Sequence, residues 1–288
     1  MSYLFINNQE IKNTQDGPIS VALYDAIGNS ANTNSPSNPV NAQLNNESMY
    51  SADWQLQVSR NKISGVTPIN ISGYNATLGA SVVPIWEAET VYTYPTTNTQ
   101  MRLYSSSASD TNVSITINGL NSSYAPISET LVLTNGATGV LTVNSYFRIQ
   151  GIQVTQSSSV NPVGQIYLSN SGKTVTYATI LAGVGKSQAG LYTVPAGYTF
   201  YLQRVGVYCG SVSQGQTPGN VTYRVATYSP TGILNSLLQT PFTTNYSTTR
   251  VTPRAYTEKT DIQWQASSTQ TTPVAIQIEG LLIVNTNP

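Results

Sequence analysis

The segment "NVSITING" alternates without a break, Val113, Ile115 and Ile117 against Asn112, Ser114 and Thr116. Period two gives an extended strand one apolar and one polar face, and it does not match the 3.6-residue repeat of a helix. The pattern recurs. "DWQLQVS" sets Trp54, Leu56 and Val58 against Asp53, Gln55, Gln57 and Ser59, and "DIQWQAS" sets Ile262 and Trp264 against Asp261, Gln263 and Gln265. "NVTYRVATY" aligns Val221, Tyr223 and Val225, and "TPVAIQIEGLLIV" aligns Val274, Ile276 and Ile278. Each reads as a half-buried strand. "YTFYLQRVGVYC" is apolar on both faces, as a central strand would be. "GILNSLLQTPF" fits a short helix through Leu234, Leu237 and Leu238, but its β surroundings favour a strand.

Turn residues punctuate these runs. Asn135-Gly136 is a strong turn signal, and Ser171-Gly172 parts two strands within "GQIYLSNSGKTVTYA". Pro195-Ala196-Gly197, between "LYTV" and "YTFYLQ", reads as the turn of a β-hairpin. Short strands with Gly, Asn and Pro between them point to an all-β fold of β-sandwich or jelly-roll type. The expected organisation is an N-terminal arm or linker over residues 1–48, then two β-sandwich or jelly-roll-like domains over 49–172 and 173–288. The first 25 residues alternate weakly and suggest one or two strands. Residues 26–48 have almost no apolar content and cannot offset their own ordering entropy. The halves show no fixed-period repeat.

Composition narrows the function. Charged residues make up only 8% of the chain, and 12 basic residues balance 12 acidic ones; about 25% is usual. Binding phosphate backbones needs a basic face, so no nucleic-acid partner is expected. No apolar run approaches a membrane span, and "MSYLFINNQEIKN" has no basic start followed by an apolar block, so neither a membrane partner nor a signal peptide is expected. A neutral surface resists association poorly. It suits a subunit held in an assembly, and a dimer, a trimer or a larger shell is expected.

The chain has no histidine and one cysteine. That removes Ser-His-Asp and Cys-His catalysis, His-based or multi-Cys metal sites, and any intrachain disulfide. "GVGKS" at Gly183–Ser187 resembles the end of a phosphate-binding loop, but Ile180 stands where that loop needs glycine and no helix is expected after it. "DAIGN" at Asp25–Asn29 lacks the remaining oxygens of a calcium site. Glu87 and Glu89, two apart beside Trp86, would share one face of a strand, the arrangement from which a carboxylate glycosidase starts; an exposed strand face explains them equally well. Cys209 reads as a small packing residue, with only Arg204 as a nearby cation. No catalytic residue, metal or cofactor is expected, and the chain reads as non-enzymatic.

Several phrases together resemble a family of virion structural proteins of tailed phages, especially marine and cyanobacterial ones. They are "WQLQVSRNKISGVTPINISGYNA", "VVPIWEAETVYTY", "LYSSSASDTNVSITINGLNSSYAPISETLVLTNGAT", "AGLYTVPAGYTFYLQRVGV" and "EKTDIQWQASS", in that order over roughly residues 50–280. The resemblance implies a location in the virion and a capsid-associated or decoration subunit whose partners are other virion proteins, the major capsid protein among them. A tail, neck or head-fibre component, or a glycan-binding adhesin using Tyr and Trp as stacking platforms, stands as the alternative. The resemblance implies no catalytic residue.

Overall fold

The computed structural model describes residues 3–6, 9–12, 54–157, 162–210, 219–228, 234–238 and 241–285. The chain is all-β, and every strand pairing is antiparallel. Two compact units divide at Lys62 and Ile63.

In the first unit, β1 (Tyr3–Ile6) and β2 (Gln9–Lys12) form a hairpin with Tyr3 opposite Lys12 and Ile6 opposite Gln9. Residues 26–48, read above as arm or linker, lie outside the described residues. "DWQLQVS" departs from expectation: Trp54–Ser59 is a helix, α1. Asn61 takes the left-handed conformation at φ 57°. The Asn61 amide donates to Val58 O and the Lys62 amide to Gln57 O, both at 2.9 Å. This is a Schellman closure with asparagine in the usual glycine position. The alternation does not survive in the helix, where Val58 is 1% exposed and Leu56 49%; six residues are too few for pattern to decide, and the local cap does.

The second unit holds two β-sandwiches with separate cores. One consists of a four-stranded sheet in the order β11-β10-β5-β8 facing a three-stranded sheet β7-β6-β9. Its strands are β5 (Thr99–Ser105), β6 (Val113–Leu120), β7 (Pro126–Leu133), β8 (Val140–Tyr146), β9 (Arg148–Ser157), β10 (Ile166–Asn170) and β11 (Thr176–Ile180). Met101, Leu103, Ile115, Ile117, Ile166 and Leu168 fill the space between the layers and are essentially inaccessible. Burying each such side chain contributes about 1.5–3 kcal/mol.

The other sandwich faces a sheet β12-β17-β14-β15, with β4 also paired to β17, against a sheet β16-β13-β18-β3. Its strands are β3 (Val66–Leu78), β4 (Val83–Pro84), β12 (Leu191–Thr193), β13 (Tyr198–Cys209), β14 (Val221–Tyr228), β15 (Leu234–Leu238), β16 (Asn245–Tyr256), β17 (Asp261–Ser268) and β18 (Thr272–Val284). Phe200, Val207, Val221, Trp264, Val274 and Ile276 are at or near zero exposure in its core. β13 is central, between β16 and β18, and residues 234–238 are a strand, both as the sequence suggested.

The chain begins the second sandwich with β3 and β4, crosses to build the whole of the first, and returns at β12. The sheets therefore do not follow a division at 172/173: that position falls in the β10–β11 turn, and residues 66–84 pair with β17 and β18. Pro195-Ala196-Gly197 is a second departure. β12 pairs with β17, while β13 pairs with β16 and β18, so the turn carries the chain from one sheet to the facing one and closes no hairpin. A Pro-x-Gly turn with Gly197 at φ 79° specifies a chain reversal, not which strands it joins.

Candidate functional site at the seam between the sandwiches

Polar residues on β17 were expected to face solvent. They are buried instead: Asp261, Gln263 and Gln265 are 5%, 3% and 6% exposed, Asp261 bonded to the other sandwich and Gln265 held within its own sheet by Arg224 of β14 and by Gln263. Opposite Asp261 stands Arg148, the first residue of β9 and only 8% exposed. Its Nε donates to Asp261 Oδ1 at 2.8 Å and its Nη2 to Oδ2 at 2.9 Å, a two-pronged pair. Nη1 donates to Phe147 O at 2.8 Å and Pro95 O at 3.2 Å. Thr193 Oγ1, on β12, donates to Asp261 Oδ1 at 2.6 Å.

Aromatic rings enclose the guanidinium carbon, with centroids at 4.1 Å for Phe147, 4.7 Å for Tyr94 and 5.6 Å for Tyr124. Trp86, Tyr92, Tyr94 and Tyr228 continue outward as successive edge-on contacts 4.9 to 6.3 Å apart. Burial opposes the charge on Arg148, but the bonds from Asp261 outweigh it and hold the guanidinium above its ordinary pKa. Burial pushes the Tyr92 and Tyr94 phenols up, so both are neutral at physiological pH. A buried ion pair with this much bonding fixes geometry; removing one partner would strand the other charge.

Around this pair the seam is bound at several further points. Gln150 on β9 donates through Nε2 to Thr193 O at 2.5 Å and accepts from the Thr193 amide at 3.3 Å. The Ala196 amide donates to Tyr124 O at 3.0 Å, so the cross-sheet turn docks on the first sandwich. Between these contacts lies a mostly apolar cavity of about 320 Å³, walled by Leu120, Pro126 and Ile127 on one side and Tyr192, Pro195 and Leu282 on the other.

Glu87 and Glu89 do not share a strand face. They sit in a turn, and Glu89 adopts φ 59°. Glu89 turns back to β3, accepting from the Ala76 amide at 2.9 Å and from the Thr77 hydroxyl. Glu87 is 4% exposed and accepts from the Gln188 amide at 3.0 Å and from Gln188 Nε2 at 3.3 Å. It thereby ties the outgoing crossing to the returning one, which also meet where the Gly190 amide donates to Ile85 O at 2.8 Å. Desolvation raises its pKa to about 7, against the pull of the bonds from Gln188 and the Leu181 backbone. Trp86, beside these two acids, is 1% exposed and lines no open cleft, and its Nε1 donates to Thr90 O at 2.6 Å.

The remaining carboxylates of this unit are also engaged. Asp110 accepts from Val163 and Gly164 amides at 2.7 and 3.0 Å, and Glu129 from Val143 and Asn144 amides at 2.9 and 3.1 Å. Glu258 accepts from the Gly197 amide at 2.5 Å, and Glu279 pairs with Arg204 at 3.5 Å. "GVGKS" lies beside β9: the Val154 amide donates to Gly185 O and the Ser187 amide to Ile152 O, at 2.8 and 2.9 Å. A phosphate-binding loop would lead into a helix; here β12 follows. Cys209 is partly buried against the second core, and burial raises its thiol pKa.

Sequence reasoning missed Arg148 and Asp261. A signal was present: "YFRIQ" places a lone arginine in an apolar run of a chain with few charges, and such a charge needs a partner when its strand is buried. Comparison with protein-family models and with curated proteins gave no match.

Proposed function

We propose that the chain is a non-enzymatic structural subunit of a phage virion, a capsid-associated or decoration subunit held on the head surface by contacts with the major capsid protein and with copies of itself. The seam carries this reading. Arg148, Asp261, Thr193 and Gln150 are bound into a joint between two sandwiches, and a subunit on a shell must bear load as one body. The likeness of residues 50–280 to virion proteins supplies the setting, and the 8% charge content suits a surface that is buried on assembly. Copy number decides it: quantitative mass spectrometry of purified particles should count hundreds of copies, as a head lattice requires. A few to a few dozen would place it in the tail, neck or head fibre.

The adhesin reading has one observation in its favour. Tyr104 and Tyr167 stack at 5.1 Å, half-buried on neighbouring strands, with Lys173 Nζ 4.4 Å from the Tyr104 ring centroid. Stacked aromatics beside a cation suit a sugar face, and a glycan array on the purified chain tests it.

A further inference from the structure

At the lateral edge of the second sandwich, several buried hydrogen-bond donors lack an acceptor among the described residues. β16 is the end strand of its sheet. Its register against β13 slips between Leu202 and Arg204, whose partners are Arg254 and Thr249. The intervening residues bulge outward and leave Val251 fully exposed, while Arg250 and Arg254, on either side of the bulge, stay half-buried. Arg250 Nε is buried and has no hydrogen-bond partner among the described residues. The hydroxyls of Tyr223 and Tyr256, residues 2% and 5% exposed, are also buried without a partner. The Arg254 guanidinium carbon lies 5.2 Å from the centroid of the Tyr256 ring, and Tyr246 adjoins Tyr223 at 5.8 Å.

These groups feel one another. Burial dominates and raises both phenols, and Arg250 and Arg254 each act in the opposite direction on both. A buried donor left unbonded is costly, and an arginine can only donate. The Asp and Glu side chains of residues 63–288 are engaged elsewhere, and neither Arg250 nor Arg254 has an ion pair among the described residues. A water would answer a donor but would leave two cations unbalanced; an anion answers both needs.

We propose that this edge cluster is an oxyanion site, in which Arg250 and Arg254 supply charge and the Tyr223 and Tyr256 hydroxyls supply donors to a carboxylate or phosphate group. Guanidinium donors match the spacing of such oxygens, and the half-buried arginines leave the site open to solvent on one side. The inference is independent of the virion reading.

The test is a titration of the full-length, isotope-labelled chain with sodium phosphate and, separately, sodium acetate, with sodium chloride holding ionic strength constant. The Arg250 Nε–H resonance should shift and saturate with at least one of them; the stronger arm tells a tetrahedral from a planar ligand. Tyr223→Phe keeps the ring and removes a donor, and Arg254→Gln removes one charge; each should weaken binding about tenfold. Arg250→Gln should abolish saturation, and the two milder variants keep the test intact if it fails to fold. A shift that never saturates, one that sodium chloride alone reproduces, or equal affinity in wild type and both milder variants would overturn the site.

Discussion

The two sandwiches of the larger unit reach similar cores by different routes. The first is contiguous: all seven strands come from Thr99–Ile180, and none of their pairings reaches outside that span. The second is assembled from both sides of that insertion. β3 finds β18 across about two hundred residues, Leu78 opposite Thr272 and Val66 opposite Ile283. Its folding must close a long loop before β3 and β4 gain any contact, whereas the longest pairing in the first sandwich, Met101 with Asn170, spans 69 residues. One sandwich is thus a self-sufficient module, and the other depends on its insert being folded with its ends close together. The Glu87–Gln188 tie and the Arg148–Asp261 pair sit where that dependence is greatest.

The sharpest way to break the comparison is to cut it. Residues 97–182 alone should fold cooperatively, with near-ultraviolet circular dichroism from buried tyrosines. Residues 183–288 alone, without β3 and β4, should lose that signal. Two folded pieces would show that the second sandwich does not need its first strands.

Asp261→Ala should be the most damaging single substitution at the seam, because it leaves the Arg148 charge buried and unpaired; a loss of about 3–5 kcal/mol is expected in urea unfolding. Asp261 and Arg148 replaced together by a packed apolar pair should recover much of it. The exposed Arg204–Glu279 pair supplies the contrast: with both side chains nearly half exposed, Glu279→Ala should cost below about 1 kcal/mol.

Glu87 adds a pH dependence at the crossing. Its folded pKa lies near 7, above the ordinary 4.5. Its stabilising contribution is therefore complete below about pH 4.5, declines as pH rises, and is gone above about pH 7. Relative to Glu87→Gln, which mimics the neutral acid, the wild type should lose about 2 kcal/mol between pH 5 and pH 8. Parallel curves for the two proteins would show that Glu87 is no more costly to ionise in the fold than outside it. Smallest of all is Cys209→Ala, expected to cost about 1 kcal/mol as a small truncation beside the second core, with slow thiol labelling of the folded chain.

Strands that bury one face were legible, because burial on one side imprints period two. Val113, Ile115 and Ile117 read as one face and are at most 1% exposed; Val221, Tyr223 and Val225, and Val274, Ile276 and Ile278, behave alike. The Ser171-Gly172 hairpin was legible for the same local reason. Long-range pairing was not. Nothing in "VPAG" says that the strands beside it enter different sheets, and nothing in β3 names β18 as its neighbour. β17 shows why the seam was hidden. Asp261, Gln263 and Gln265 have the pattern of a solvent face, and only long-range packing, Arg148 of the other sandwich on Asp261 included, turns that face inward. α1 was misread because six residues are too short a run for periodicity to decide and the deciding bonds come from Asn61 and Lys62 beyond it.

The central claim is that a buried ionic joint makes the two sandwiches unfold as one. Differential scanning calorimetry of the wild type and Asp261→Ala tests it directly. The wild type should show a single transition whose calorimetric and van't Hoff enthalpies agree, and the variant should split into two, the second sandwich melting first. Two independent transitions in the wild type, or one unsplit and unshifted transition in the variant, would contradict it.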